Sequence, residues 1–222
     1  FSNGHRPIYK SGAVPFLEVA NLKVVWGLDG KEALVFDKTK TVYFDLNKSL
    51  VYNLGSIKPS DLKEAALRDG RIYFLKLAKD SGRKDLAVFS LKNFKTGVLA
   101  KNTISFFAGQ ENIWAVSAST LLKMNLDGTN EEVLGKLPSS VASVIKSALN
   151  SGNVDFVLAG TDLYSVKDKE LTLKAKGVKN FAVSPDGFIL GWHTDKEFWA
   201  EWIKDAEYWP WKKTGEREMV FE

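Results

Sequence analysis

A unit of about 40 residues recurs five times along this chain, and that period restricts the fold more than any other feature. Each unit has a turn, a hydrophobic strand, a second turn and another strand. Taking Phe36, Phe74, Trp114, Phe156 and Ile189 as equivalent positions sets the repeat. The turns carry the residues that tight hairpins need: Leu28-Asp29-Gly30, Arg68-Asp69-Gly70, Glu111-Asn112, Gly152-Asn153 and Pro185-Asp186-Gly187. The runs between them, such as Ile72-Tyr73-Phe74-Leu75 and Ile113-Trp114-Ala115-Val116, are β-branched or aromatic and nearly continuous in apolar character. A strand of that kind is covered on both faces. No small sheet buries both of its faces alone, so neighbouring units must stack.

The expected fold class is therefore all-β, a β-propeller of about five visible four-stranded blades, since 40 residues is the length of one such blade. The blades are expected at roughly 18–60, 61–104, 105–148, 149–178 and 179–213, with 214–222 the start of a further strand. All 222 residues are read as one propeller domain or a fragment of one, belonging either to a five-bladed ring or to a ring of six or more blades. Two segments carry helical features. Residues 58–67 predict a helical turn with Ser60 as N-cap. Residues 139–149 have an i, i+3, i+4 apolar spacing, but Val141, Val144 and Ile145 also suit the first strand of a blade, and a strand is expected there.

Composition excludes several function classes. There is no cysteine, which removes disulfides, cysteine-ligated zinc and thiol catalysis together. The two histidines, His5 and His193, stand at opposite ends of the chain with no ligand spacing around them, so no metal is expected. Ser184 lacks the nucleophile-elbow glycines, and no phosphate-cradling glycine loop occurs, so no cofactor is expected. Asp195, Glu197 and Glu201 lie close together, and paired carboxylates can hydrolyse glycosides, but a solvated strand face explains them as well. Asn47-Lys48-Ser49 fits a glycosylation sequon, a pattern common by chance. The net charge of +4 comes from 31 basic and 27 acidic residues interspersed along the chain. No element gathers a Lys/Arg run, so no nucleic-acid partner is expected. No apolar stretch is long enough to span a bilayer.

The segment Val183-Ser184-Pro185-Asp186-Gly187, followed by Phe188-Ile189-Leu190-Gly191-Trp192, resembles the WD40-like repeat of TolB-type β-propellers. Weaker echoes stand at Gly27-Leu28-Asp29-Gly30 and Arg68-Asp69-Gly70, and Leu121 to Thr129 resembles the outer hairpin of similar bacterial propellers. The stretch from Glu197 to Trp202, continuing to Glu218, is similar to propellers that follow PEGA domains in bacterial envelope proteins. The repeat glycines and aspartates of such propellers are turn residues, so the resemblance carries over no catalytic role. It implies an extracytoplasmic scaffold, at the periplasm or cell surface, that binds a protein partner or an envelope component.

Within that C-terminal stretch five aromatic residues cluster: Trp199, Trp202, Tyr208, Trp209 and Trp211. Trp199 is expected to pack between blades. Tyr208, Trp209 and Trp211 flank a loop-forming proline and are the candidate partner-binding residues, with packing against a neighbouring blade as their alternative fate. The sequence-level expectation is a non-catalytic scaffold, not an enzyme. A propeller-type hydrolase, lyase or cyclotransferase with a central-channel site is one alternative, and a structural assembly subunit or carbohydrate-binding module another.

Overall fold

In a computed structural model the chain is described over residues 7–8, 21–27, 29–79, 81–137, 143–146, 156–167, 170–184, 187–203 and 217–221. The described elements are strands, apart from short 3-10 turns. They form five antiparallel sheets in sequence order, each a meander of four consecutive strands, to the first of which one further strand is added. Two compact units hold them, Phe1–Thr103 and Ile104–Glu222.

The first unit contains two sheets. In the first, β2 (Lys23–Trp26), β3 (Glu32–Phe36), β4 (Thr41–Asp45) and β5 (Leu50–Asn53) pair in succession, and the short β1 (Pro7–Ile8) adds a fifth strand beside β5. The second sheet is β6 (Ala66–Arg68), β7 (Arg71–Leu77), β8 (Lys84–Ser90) and β9 (Lys95–Ala100). The expected Asp-Gly turn joins β6 to β7. Asp69 (φ 47°) and Gly70 (φ 65°) both take positive φ between the paired residues Arg68 and Arg71. That is the two-residue turn whose twist matches its strands.

Alternation along the strands sends Leu34, Phe36 and Tyr43 of the first sheet toward Ile72, Phe74, Ala87 and Phe89 of the second, and these form one buried core. Tyr52 and Phe94 complete its outer end, with ring centroids 5.8 Å apart. A polar clamp crosses the same interface: the Gly70 N–H donates to the Glu32 carboxylate at 2.9 and 3.2 Å. Between the sheets, residues 59–64 form the helical turn expected from sequence, but as a 3-10 turn capped at Lys58. Pro59 occupies the first helical position, and Ser60 is not the cap. Proline fits there because its missing N–H has no partner to lose.

Tyr73 of β7 is fully buried, and that burial is the main reason its hydroxyl is pushed up to about 12. The unfolded chain ionises this tyrosine near 10, so its contribution is complete below pH 10 and declines as pH rises toward and through 12. Tyr73→Phe is expected to flatten the alkaline loss of stability between pH 10 and 12, measured by denaturant titrations at stepped pH.

The second unit contains three sheets. The third sheet of the chain is β10 (Thr103–Ala108), β11 (Asn112–Ser117), β12 (Thr120–Asn125) and β13 (Glu132–Lys136). The fourth is β14 (Ser143–Lys146), β15 (Phe156–Ala159), β16 (Asp162–Lys167) and β17 (Glu170–Ala175). The fifth is β18 (Asn180–Val183), β19 (Ile189–His193), β20 (Phe198–Trp202) and β21 (Arg217–Phe221). Two limits fall differently from the sequence reading. Residues 143–146 are a strand that pairs with β15 and opens the fourth sheet, the first-strand place expected for them, although the blade limits of 105–148 and 149–178 set them in the third unit. Residues 214–222, set apart as the start of a further strand, contain β21, which pairs with β20 and completes the fifth sheet.

Trp114, Val116, Leu121 and Leu134 of the third sheet meet Val157 and Ala159 of the fourth in one core. Phe156, Leu158 and Leu163, on the opposite face of the fourth sheet, meet Phe181, Leu190 and Trp192 of the fifth in another. The fourth sheet is thus apolar on both faces because both are covered, which is why its strands read as continuous apolar runs. At the third–fourth interface a Cβ on Gly135 would stand 2.9 Å from Leu171 Cδ1 and 3.0 Å from its Cγ. Gly135→Val is expected to cost about 1–3 kcal/mol by overpacking, read as a lower denaturation midpoint.

Candidate functional site

Tyr208, Trp209 and Trp211 lie outside the described residues, as does His5. Their sequence neighbours are structural. Trp199 packs on the core between the fourth and fifth sheets, and its ring stacks on that of Trp192, its cross-strand partner, with centroids 6.4 Å apart and planes 11° from parallel. The Trp199 indole N–H donates to Glu197 at 2.9 Å. Glu201 is 2% exposed and accepts from Lys174 Nζ at 2.7 Å and Arg217 Nε at 2.9 Å. The Arg217 guanidinium lies 5.4 Å from the centre of the Trp192 ring. Lys174 belongs to β17, so this buried carboxylate ties the fourth sheet to the last strand of the fifth.

The acidic residues weighed for catalysis therefore have separate structural duties. Glu197 holds an indole, Glu201 holds two cations, and Asp195 pairs with Lys179 at 3.2 Å. His193 is exposed, with Nδ1 3.2 Å from the Thr194 carbonyl oxygen. Ser184 serves its turn, its Oγ accepting the Ile189 N–H at 2.9 Å. Among the described residues no group of three His, Cys, Asp or Glu is placed to hold a metal ion, and no helix is long and apolar enough to cross a membrane.

A different feature emerges in the first unit. Charge is divided unevenly between the two units. Residues 1–103 carry 18 Lys or Arg against 10 Asp or Glu, a net +8, whereas residues 104–222 carry 13 against 17, a net −4. Much of the excess collects at one end of the first unit. Gly27 and Leu67 form a parallel bridge, so β2 and β6 run in the same direction. In an antiparallel meander, β3 and β7 then also run together. Their following hairpins, 37–40 and 78–83, fall at the same end, beside the link 54–65 and the β9–β10 link.

Lys23, Lys38, Lys40, Lys58, Lys63, Lys76, Lys79, Arg83, Lys84 and Lys101 all lie at or within a residue or two of this end. The acidic residues there are engaged locally. Asp37 accepts the Thr39 and Lys40 N–H groups at 2.6 and 2.7 Å, an Asx turn that shapes its hairpin. Asp85 accepts the Asn102 N–H at 2.9 Å, and Glu64 is 3.9 Å from Lys84. Asp80 also belongs to this hairpin in sequence but lies outside the described residues.

Among the described residues two concavities open at this end. One of about 330 Å³ lies between the start of β2, the 37–40 hairpin and the 3-10 turn, with Lys23, Lys38 and Lys63 in its wall. The other, about 550 Å³, lies between the 78–83 hairpin and the β9–β10 link, with Lys76, Lys79, Arg83 and Lys101 in its wall. Sequence reasoning missed this face because its cations come one or two at a time from separate loops, and only strand direction brings those loops together.

No protein-family model matches the chain, and comparison with curated proteins finds no relative. Solved structures do match. The tricorn protease aligns with 91% of this chain at 10% identity and a TM-score of 0.50. The extracellular domain of the putative one-component system BT4673 from B. thetaiotaomicron aligns with 85% at 13% identity and 0.53. The N-terminal domain of Nup159 aligns with 86% at 14% identity and 0.50. The chain spans 26%, 27% and 64% of those three chains respectively. One of these neighbours is a protease, so the fold does not itself exclude catalysis. At such low identity the likeness shows architecture alone: the chain is an all-β propeller built of four-stranded antiparallel sheets.

Proposed function

We propose that this propeller is a non-catalytic binding scaffold and that its partner engages the lysine-rich end of the first unit. The observation that carries this reading is the concentration of exposed cations around two concavities whose acidic residues are already engaged in turns and pairs. A site of that kind offers charge and shape but no acid–base pair. Elsewhere, the carboxylates that resemble a catalytic set are each taken up by an indole or a cation, which supports binding over turnover.

The WD40-like, TolB-type assignment belongs to the same proposal. It is supported by the turn at 184–189, where the Gly187 N–H donates to the Ser184 carbonyl and the Ser184 N–H to the Ile189 carbonyl, both at 2.8 Å. Gly187 has φ 77°, a value that favours glycine. We place the protein outside the cytoplasm with a protein or envelope component as partner. The absence of cysteine and the extracellular origin of the BT4673 domain support that placement. Tyr208, Trp209 and Trp211 remain a second candidate contact on the strength of their residue types alone.

Amine-reactive crosslinking of the native protein in its own cell extract tests the reading. Inter-protein links are expected from Lys38, Lys63, Lys76 and Lys79. Links concentrated on second-unit lysines such as Lys136 and Lys196, or turnover of a substrate by the purified chain, would contradict it.

A further inference from the structure

We propose that the larger of these two concavities, between the β7–β8 hairpin and the β9–β10 link, is a docking site for an acidic peptide segment that also carries aliphatic side chains. The proposal rests on the binding-scaffold reading above and names the partner's chemistry.

Charge is the first argument. Lys76, Lys79 and Arg83 line this cavity, and among the described residues none of them makes an ion pair. Elsewhere the chain pairs its charges readily, with Lys48 on Asp45 at 2.9 Å and Lys174 on Glu201 at 2.7 Å. Among the described residues the carboxylate in the cavity's wall is Asp85, which accepts the Asn102 N–H. A concave cationic surface with low-dielectric walls concentrates field and attracts an anion.

The apolar wall is the second argument. Leu77 and Val98 line the same cavity and are 60% and 54% exposed. They flank the cations, so the surface is amphipathic and fits a ligand that alternates charge with hydrocarbon. An extended peptide does this naturally, because successive side chains point to opposite faces. A nucleic acid fits less well. Among the described residues no aromatic ring lines the cavity, so single-stranded bases find no stacking platform there. Only Arg83 among the cavity's cations offers the planar fork that matches phosphate.

The frame is also pre-set. The hairpin is closed by the Ala78 N–H donating to the Arg83 carbonyl at 2.8 Å, and Gly82 holds a positive φ of 65°. On the other side, the Asp85–Asn102 bond fixes the link. Binding then orders side chains but little backbone. The volume of about 550 Å³ lies within the range of about 300–1,000 Å³ typical of ligand-sized clefts.

Fluorescence anisotropy with the full chain and a labelled peptide of alternating Glu and Leu tests the proposal. Saturable binding is expected, weakening as salt rises from low to physiological strength. The double variant Lys79→Gln/Arg83→Gln is expected to bind about tenfold more weakly, from two partly exposed ionic contacts. Leu77→Ser is expected to lose about threefold or more. Lys92→Gln/Lys95→Gln removes the same charge from the opposite end of the second sheet and is expected to bind as the parent does. All five positions are exposed, and thermal melts of the variants should match the parent.

Equal losses in the two double variants would overturn the proposal by showing attraction to net charge alone. Equal binding of a peptide with Gln in place of Glu would also overturn it, as would tighter binding of a thymidine oligonucleotide that the Lys79/Arg83 variant weakens. If the peptide fails while native crosslinks still arise from Lys76 and Lys79, the peptide chemistry is wrong and the scaffold reading stands. If those crosslinks arise elsewhere, the scaffold reading fails with it.

Discussion

Trp114→Ala is expected to lower the unfolding free energy by about 3–5 kcal/mol, the range for deleting a large aromatic side chain from a packed core. Trp114 is 2% exposed and sits in the core between the third and fourth sheets. Its ring centre is 5.9 Å from that of Phe107, and Lys123 Nζ lies 5.7 Å from it. Removing the indole leaves Val157 and Ala159 of the next sheet facing a void that the short side chains around it cannot fill. Urea titration followed by the remaining tryptophans reads the effect. A loss below 1 kcal/mol would mean that the two sheets do not lean on each other through this residue. Trp114→Phe, which keeps much of the volume, should recover part of the loss.

The second large effect is expected at Glu201. Glu201→Ala leaves Lys174 and Arg217 facing each other without the carboxylate that both contact. Breaking a buried pair by removing one partner typically costs about 3–5 kcal/mol. Here the two cations keep 26% and 42% of their side-chain exposure and can be partly hydrated, so about 2–4 kcal/mol is expected. Glu201→Gln keeps the shape and one acceptor and should lose less. A double-mutant cycle with Arg217→Ala measures the coupling. Additive losses would show that the ion triad does not tie β21 to the fourth sheet. Because this carboxylate is a structural tie, its loss should appear in stability and leave the lysine-rich end of the other unit unaffected.

Most of the fold could be read from the residues. The period survives in sequence because a sheet covered on both faces needs apolar side chains on both, so a run such as Phe156-Val157-Leu158-Ala159 serves two neighbours at once, Val157 and Ala159 toward the third sheet and Phe156 and Leu158 toward the fifth. All four of those residues are buried. The Asp-Gly turn at 69–70 was equally legible, since positive φ at two successive positions restricts the choice of residue. The first-sheet strand β1 was not. Pro7–Ile8 is too short to show alternation, and it pairs with β5 across more than forty residues of chain. β21 was misplaced for a related reason: it returns to its sheet after residues 204–216, so local pattern gives it no partner.

The candidate site was less legible than the fold. Tryptophan draws attention in a sequence, but Trp192 and Trp199 stack to close a core. Lysine in a short turn draws none, because it is the ordinary residue for a solvated loop. The cationic end exists because the parallel course of β2 and β6 aligns hairpins that are about 40 residues apart in sequence. Spacing in the sequence carries no trace of that alignment. The partners of Glu201 likewise come from 27 positions before it and 16 after it.

Mass-spectrometric lysine footprinting in the presence of the Glu/Leu peptide tests the central claim most directly. Acylation should slow at Lys76 and Lys79 and proceed unchanged at Lys92, Lys95, Lys136 and Lys196. Uniform slowing, or protection confined to the second unit, would contradict an account in which strand direction assembles a binding face from scattered loops.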